Sequence, residues 1–435
     1  MITYPVAPEV VFGVLFVVGV FVGRLLNICA LRFPDDARLS QQLLSLKRPW
    51  GVCRQCTAAP HGTEKIPLLG WLINGRRCRA CHARIPPTFF IIELLTGLLF
   101  AITFWWEVPL GADMGLRDSG LTSPDGPPGP EVIKGLWSPG VWLQLRYGLH
   151  IVMICGLIVA TEIDRRLRLI PDGSTIPVML FAVMAHAVFG QLYVVPIWFQ
   201  DPSTVRILQP IVPELLQPLF VPWDATSFIQ TWPHLHGLLV SLMGALAGAG
   251  SVWIVRQIGF LVLRQEAMGF GDVVLMGMIG SVIGWQPVLA VFMVAPMLAI
   301  LAAVANFVAN RDNEIPYGPF LSGATILLLL TWPHSWPLAK RFFDMGPVLV
   351  LLGVLMVFLL GASLQLVQFI KRLLGIAAFD PHAEDDEWTS ADHLSYYTSE
   401  RPDEQTGEWP RDQWPGARAG RGLKPYHDWR HPGHR

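Results

Sequence analysis

The chain reads as an all-α polytopic membrane protein of about eight or nine transmembrane helices, with a small cysteine-rich domain beside the membrane. Three observations lead there. Hydrophobic residues make up 52% and charged residues 15% of the 435 residues. An ordinary soluble domain is about 25% charged, so most of the surface of this chain has to face something other than water. The apolar residues fall into runs long enough to cross a bilayer, which takes about 20 residues of helix. Four of the six cysteines stand as two Cys-x-x-Cys pairs in one polar stretch near the start. A formal net charge of −1 leaves no large basic or acidic surface of the kind that binds nucleic acid.

The apolar runs predict spans at 9–31, 88–106, 146–162, 174–195, 236–263, 272–286, 288–309, 318–333 and 346–370. The sixth and eighth are short. The first follows Met1-Ile2-Thr3-Tyr4-Pro5 without a basic stretch before it or a small-residue cleavage site after it. It therefore reads as a retained span and not a removed signal. Cys29 and Cys155 lie in apolar helical text and read as small buried hydrophobes. Basic residues gather in segment 32–87, after the third span (Arg165, Arg166, Arg168), after the fifth (Arg264) and after the last (Lys371, Arg372). Loops 107–145 and 196–235 hold few. Loops rich in Lys and Arg stay in the cytoplasm, which puts the N-terminus outside and the cysteine segment inside.

This gives four parts: a first span (1–31), a cytoplasmic cysteine domain (32–87), a transmembrane domain (88–372) and a disordered cytoplasmic tail (373–435). The tail is assigned from its composition, polar and acidic as in Ala383–Glu387, which cannot bury enough apolar surface to offset its ordering entropy. Loop 107–145 contains Asp125–Pro130, a run of Gly and Pro that predicts irregular backbone. Loop 196–235, with its prolines and aromatics, is expected to lie along the membrane surface.

Two aspartates stand out. Asp164 falls at the cytoplasmic end of the third span, and Asp272 at the start of the sixth, after Gly269-Phe270-Gly271. A single carboxylate at a helix end commonly caps or snorkels. Asp272 has more in its favour, because the helix dipole welcomes a carboxylate there. Glycines Gly269 and Gly271 also permit a close approach by a second backbone, such as a substrate peptide. Two carboxylates at one depth and on one side suggest a shared site. Such a pair can share a proton, one member activating water and the other polarising a carbonyl, and it titrates as a unit. Asp172, eight residues after Asp164, is the local competitor and reads as a polar residue at the N-terminus of the fourth span.

Cys53, Cys56, Cys78 and Cys81 form a CxxC…CxxC set with a gap close to that of a zinc ribbon. Four thiolates satisfy tetrahedral zinc, and such a closed site folds a domain without taking part in catalysis. Disulfides do not suit a loop placed in the reducing cytoplasm. His61 and His82 are nearby but are expected to be solvated.

The ordered set of motifs resembles the type IV prepilin peptidases, which belong to the GxGD membrane aspartic peptidases. Gly269–Asp272 matches the GxGD motif, and Ile163-Asp164 … Leu169-Ile170-Pro171-Asp172 matches the segment before it. Gly23–Asn27 and Leu31–Pro34, Ile66–Leu72 with Gly75–Cys78, Glu93–Gly97, Gly277–Trp285 and Pro316–Leu321 follow in family order. The resemblance covers most of residues 10–330. It implies that Asp164 and Asp272 are the catalytic pair. It also implies that prepilins and pseudopilins of type IV pilus and type II secretion systems are cut after a Gly at the cytoplasmic membrane face. A second implied activity is methylation of the new N-terminal amine with S-adenosylmethionine; no Gly-rich nucleotide fingerprint marks where that cofactor binds. The chain departs from the family at Arg54, at Thr88-Phe89-Phe90 before Glu93, and at Arg166. Two other readings stay open: a peptidase acting on other leader-bearing proteins without methylation, and a transporter using the two Asp as a proton relay. Relay residues usually sit near the midplane, whereas both Asp fall at helix ends beside a basic loop.

Overall fold

A computed structural model describes residues 8–33, 38–47, 66–108, 139–198, 202–214, 217–220, 226–263, 268–308 and 316–374. Cys53, Cys56, His61, most of loop 107–145 and the tail beyond 374 lie outside the described residues. The helices are α1 (Pro8–Arg32), α2 (Leu39–Ser45), α3 (Leu69–Ile73), α4 (Pro87–Glu107), α5 (Pro139–Leu167), α6 (Asp172–Phe189), α7 (Pro202–Leu208), α8 (Thr226–Thr231), α9 (Pro233–Leu263), α10 (Phe270–Ile283), α11 (Trp285–Val308), α12 (Gly318–Phe343) and α13 (Val348–Leu373). Among the described residues the only β pairing is one isolated antiparallel bridge, Arg77 with Arg84. The chain divides into two compact units, Met1–Gly259 with Glu266–Leu359 and Phe260–Gln265 with Leu360–Arg435.

Among the described residues, seven helices are long and apolar enough to cross a membrane: α1, α4, α5, α6, α9, α11 and α13. The shorter apolar stretches Phe270–Ile283 and Gly318–Trp332 are the sixth and eighth of the runs predicted from the sequence. The third span is longer at both ends than that prediction, Pro139–Leu167 against 146–162, and two other boundaries differ for identifiable reasons. The fourth span stops at Phe189, where Gly190 takes φ 75° and its N–H donates to His186 O at 2.8 Å. A left-handed glycine of this kind ends a helix by satisfying its last carbonyls. Leu192 and Val195 beyond it are buried coil, so apolar text continues where the helix does not. The eighth runs on to Phe343, because Trp332, Trp336 and Phe343 keep a buried face through polar text. The Trp332 and Trp336 rings lie 5.1 Å apart.

Lipid offers apolar helices no hydrophobic reason to associate, so close packing over small residues has to supply it. Gly19 and Gly23 of α1 meet α4 in this way: a methyl at Gly23 would stand 2.8 Å from Glu93 Cα, and one at Gly19 would stand 2.9 Å from Gly97 Cα. Between α9 and α10, a methyl at Gly244 would overlap the Gly280 carbonyl, and the Ser241 hydroxyl donates to Ser281 O at 2.7 Å. Helix α10 is buried along nearly its whole length, with Leu275, Met276, Met278 and Ile279 in the main core beside Met153, Leu157 and Leu321. A helix apolar all round suits such a central place.

At the end of the bundle away from Asp164, a ring of polar side chains is buried. Glu107, Arg146, His150, His186, Tyr193 and His236 are each no more than 3% exposed. Nδ1 of His150 lies 2.7 Å from Oε1 of Glu107. Arg146 lies within electrostatic reach of Glu107 and Tyr193, and His186 within reach of His150. The Tyr193 and His236 rings meet edge to face at 4.7 Å. His236 Nε2 accepts from the Ile197 N–H at 3.1 Å, and Trp285 and Gln286 hold the carbonyls of Ile197 and Pro196. Coil 190–198 is thereby tied into the bundle. The stretch expected along the membrane surface forms α7, short 3₁₀ turns and α8, with Val205, Val212 and Phe220 as its own small core.

Replacing Gly244 with Val forces α9 from α10 and should cost about 1–3 kcal/mol, the usual range for overpacking. Gly250, with nothing within 4 Å of a built methyl, is the control. Thermal unfolding in detergent should show a lower midpoint for Gly244→Val than for Gly250→Val.

Candidate active site

Asp164 stands in the last turn of α5 and is 7% exposed; Asp272 stands in the first turn of α10 and is 8% exposed. Helix α5 ends because Arg168 adopts φ 54° and donates its N–H to Asp164 O at 2.8 Å. The chain then passes Ile170 and enters α6 at Pro171. On α10, Gly269 occupies the N-cap and its carbonyl accepts from the Asp272 N–H at 3.2 Å, so the carboxylate sits at the positive end of the helix.

The two carboxylates converge. Each lies near enough for the Asp164 charge to act on Asp272. Helix α12 closes the site from a third side: the Gly318 N–H donates to Asp164 Oδ2 at 3.0 Å. Neither approach leaves room for a side chain. A methyl at Gly318 would stand 2.6 Å from Asp164 Oδ2, and one at Gly271 would stand 3.0 Å from Ile170 Cβ. Gly271 thus has an internal packing role, while a methyl at Gly269 would meet only Asp272 Oδ2, at 3.8 Å. Tyr317, just ahead of α12, is near Asp272. Burial and, after it, the Asp272 charge push its phenol up to about 12.

The basic residues after Asp164 are otherwise engaged. Arg165 and Arg166 both pair with Glu162, each at 3.0 Å, and Arg166 also donates to Ala30 O at the end of α1 at 2.8 Å. Asp172 is exposed in the first turn of α6 and is not its cap. The cap comes from α2, where Gln42 Oε1 accepts from the Gly173 N–H at 2.7 Å. Glu93 ties the cysteine-bearing segment to the helices: it accepts from the Leu68 N–H at 2.6 Å and pairs with Arg24 at 3.5 Å. Leu68 holds φ 59°.

Cys78 and Cys81 lie in a tight turn between the bridged Arg77 and Arg84. The Cys78 N–H donates to Ala83 O and the His82 N–H to Cys78 O, both at 2.9 Å. Such a turn fits one half of a four-thiolate set. Cys53 and Cys56 lie outside the described residues, among which no three His, Cys, Asp or Glu side chains are placed to hold one metal ion. His82 is exposed.

Sequence reasoning gave no role to Gly318, Tyr317, Gln42 or Glu162. For the first two a signal is present, since Pro316–Leu321 is one of the motifs; Glu162 pairs with Arg165 and Arg166 at i+3 and i+4, a local pattern, whereas for Gln42 a contact 131 residues away decides the role.

Two family models match the chain. A Bacterial Peptidase A24 N-terminal domain matches residues 17–107, which contain all four paired cysteines, and the Type IV leader peptidase family matches residues 214–304, which contain Asp272. Asp164 and Tyr317 lie outside both matches. The chain is similar to a prepilin leader peptidase/N-methyltransferase of Myxococcus xanthus, 26% identical over 328 residues, 74% of this chain and 72% of the relative. It is also similar to one of Aeromonas hydrophila, 23% identical over 75% of this chain and 93% of the relative. A type 4 prepilin-like proteins leader peptide-processing enzyme of Escherichia coli is 25% identical over 70% of this chain and 88% of the relative. No solved structure matches the chain.

The convergence has a direct test. With Cys29 and Cys155 changed to Ala, the double variant Asp164→Cys, Asp272→Cys should be linked by a short bifunctional thiol reagent. Mass spectrometry of the linked peptides reads the result, and failure to link would mean that the two positions do not share a site.

Proposed function

Since the chain belongs to the type IV leader peptidase family, we propose that it is a membrane aspartic peptidase that removes the leaders of prepilins and pseudopilins, with Asp164 and Asp272 as its catalytic pair. The carrying observation is the placement of the pair at two helix ends. Two buried carboxylates from different helices act on each other, one fixed by a backbone amide and the other at a helix N-terminus. Two carboxyl groups sharing one proton can divide hydrolysis between them. One takes a proton from water as the oxygen bonds to the peptide carbon, and the other gives its proton to the carbonyl oxygen. As the C–N bond breaks, the leaving amine takes up a proton and the carboxyl product re-forms. The amide of Gly318 fixes the orientation of the Asp164 carboxyl through this sequence, and the buried walls keep the field between the two groups strong.

The relatives' names include a methyltransferase, and we extend that activity to this chain. S-adenosylmethionine would supply an electrophilic methyl group to the new N-terminal amine. Cys53, Cys56, Cys78 and Cys81 would hold one structural zinc ion that folds the cytoplasmic segment against α4, with Glu93 as its anchor. Basic residues at 32–87 and 165–168 favour placing this face of the chain in the cytoplasm of a bacterial inner membrane, with the N-terminus outside. That is the face on which a leader is exposed.

Asp164→Asn and Asp272→Asn should each lower cleavage of a Gly-ended leader by about a thousand-fold or more while the protein still accumulates in the membrane. Near-normal cleavage by either variant would remove the dyad. Metal analysis of the purified protein should find about one zinc per chain, lost in Cys78→Ser; a zinc-free protein would overturn the ribbon. Labelled S-adenosylmethionine in the same assay should mark the cut product, and an unlabelled product would leave a peptidase alone.

A further inference from the structure

The stretch from Ile66 to Ile92 carries four arginines and no acidic residue. It also turns apolar side chains outward. Leu69, Leu72 and Ile73 of α3 are 52%, 54% and 60% exposed. They stand at i, i+3 and i+4 and so form one ridge. Two contacts fix how α3 is turned. Trp71 packs on Phe90, with ring centroids 5.1 Å apart, and its indole N–H donates to Ile85 O at 3.3 Å. Just before α3, the Leu68 N–H donates to the buried Glu93 at 2.6 Å. Phe90 and Glu93 belong to the first two turns of the α4 span. The ridge is therefore held at the level where a membrane helix begins. The arginines lie at the other end of the stretch. Arg77 and Arg84 are opposite each other across the antiparallel bridge, which puts their side chains on one face of the backbone. Both are exposed, and neither has an ion-pair partner among the described residues. Like charges set opposite each other repel, and an anion beside them relieves that. Arg76 adds a third cation, 4.9 Å from the centroid of the Trp71 ring.

We propose that residues 66–84 form an interfacial anchor: the Leu69, Leu72 and Ile73 ridge enters the acyl boundary of the bilayer that α4 crosses, and Arg77 and Arg84 bind the phosphates of anionic lipid headgroups. An apolar face beside a cationic one, with a tryptophan at their boundary, is what an element lying in the membrane interface presents. Two observations select lipid as the occupant. The ridge stands beside the first turns of a spanning helix, where lipid is already in contact with the chain. Cations next to apolar groups also match a charged headgroup joined to its acyl chains, and a free anion would leave the ridge uncovered. The anchor holds the Cys78–Cys81 turn, which lies between the two arginines, at the membrane surface. It does not depend on the peptidase reading.

The test uses the full-length protein in nanodiscs of phosphatidylethanolamine and phosphatidylglycerol. Leu72→p-acetylphenylalanine, coupled to a nitroxide through its ketone, leaves every cysteine in place. Collisions of the label with oxygen, which concentrates among acyl chains, and with a water-soluble nickel chelate report its surroundings. Oxygen should dominate at position 72, as it should at Val354 of α13, which is 65% exposed on a spanning helix. Ile73 takes the label if the Leu72 variant accumulates poorly. A nickel-dominated label means that the ridge lies in water and overturns the anchor. A label reached by neither reagent means that protein covers the ridge, either segment 48–65 of this chain or another chain, and overturns it as well. The headgroup contact has its own readout. Binding of short-chain phosphatidylglycerol in neutral detergent, followed by native mass spectrometry, should weaken about fivefold in Arg77→Gln and about fivefold again when Arg84→Gln is added, the scale for one cation beside an anionic surface. Binding of phosphatidylcholine of the same chain length should not change. Unchanged phosphatidylglycerol binding in the double variant, or an equal loss for both lipids, overturns the role of the arginines.

Discussion

The hydrogen bond from the Gly318 amide to Asp164 decides where three helices meet. Asp164 ends α5, Gly318 begins α12, and a separation of 3.0 Å leaves no space for a side chain between them. Ile170, in the connection that leaves α5, then lies against both Gly318 and Gly271, and so sets how closely α10 enters. Asp272 follows at the first turn of α10. A carboxyl group held by a backbone donor on a rigid helix end stays put without depending on a second flexible side chain. The geometry of the proposed dyad is therefore a property of the backbone.

The surrounding bilayer imposes the rest. Lipid demands that helices satisfy their own backbone and pack through small residues, and the crossings at Gly19, Gly23, Gly244 and Gly280 meet that demand. Helix α10 departs from the pattern usefully. Its 14 residues span about 21 Å, less than the roughly 30 Å of hydrocarbon. Its first turn carries Asp272, which is 8% exposed.

Much of this was legible in the sequence, and what was not has a physical cause. Nine apolar runs marked the spans because lipid leaves a one-dimensional signature of length and hydropathy. Gly269–Asp272 marked the second carboxylate because glycine pairs before an acid at a helix start are a local pattern. The end of α6 escaped notice because buried coil at 191–195 is as apolar as a helix, and the length of α12 because its buried tryptophans alternate with polar residues. Gln42 capping α6 from 131 residues away and Glu93 holding Leu68 are contacts that only the fold creates. The same is true of the ring of Glu107, Arg146, His150, His186, Tyr193 and His236, whose members are scattered along the chain.

That ring bears on how the protein reaches the bilayer during synthesis. Glu107 closes α4, and Arg146 and His150 lie early in α5, so the first partners straddle a single loop. A charged residue inserted on its own costs about 2.5–3.5 kcal/mol at a helix centre, and this cost falls when its partner enters beside it. The easiest path out of the translocon therefore releases α4 and α5 as one hairpin with Glu107 and His150 already in contact. His186 of α6 lies within electrostatic reach of His150, and His236 of α9 within reach of His186, so the later members follow in chain order. Buried polarity at this end thus gives the bundle an order of assembly that runs with the direction of translation.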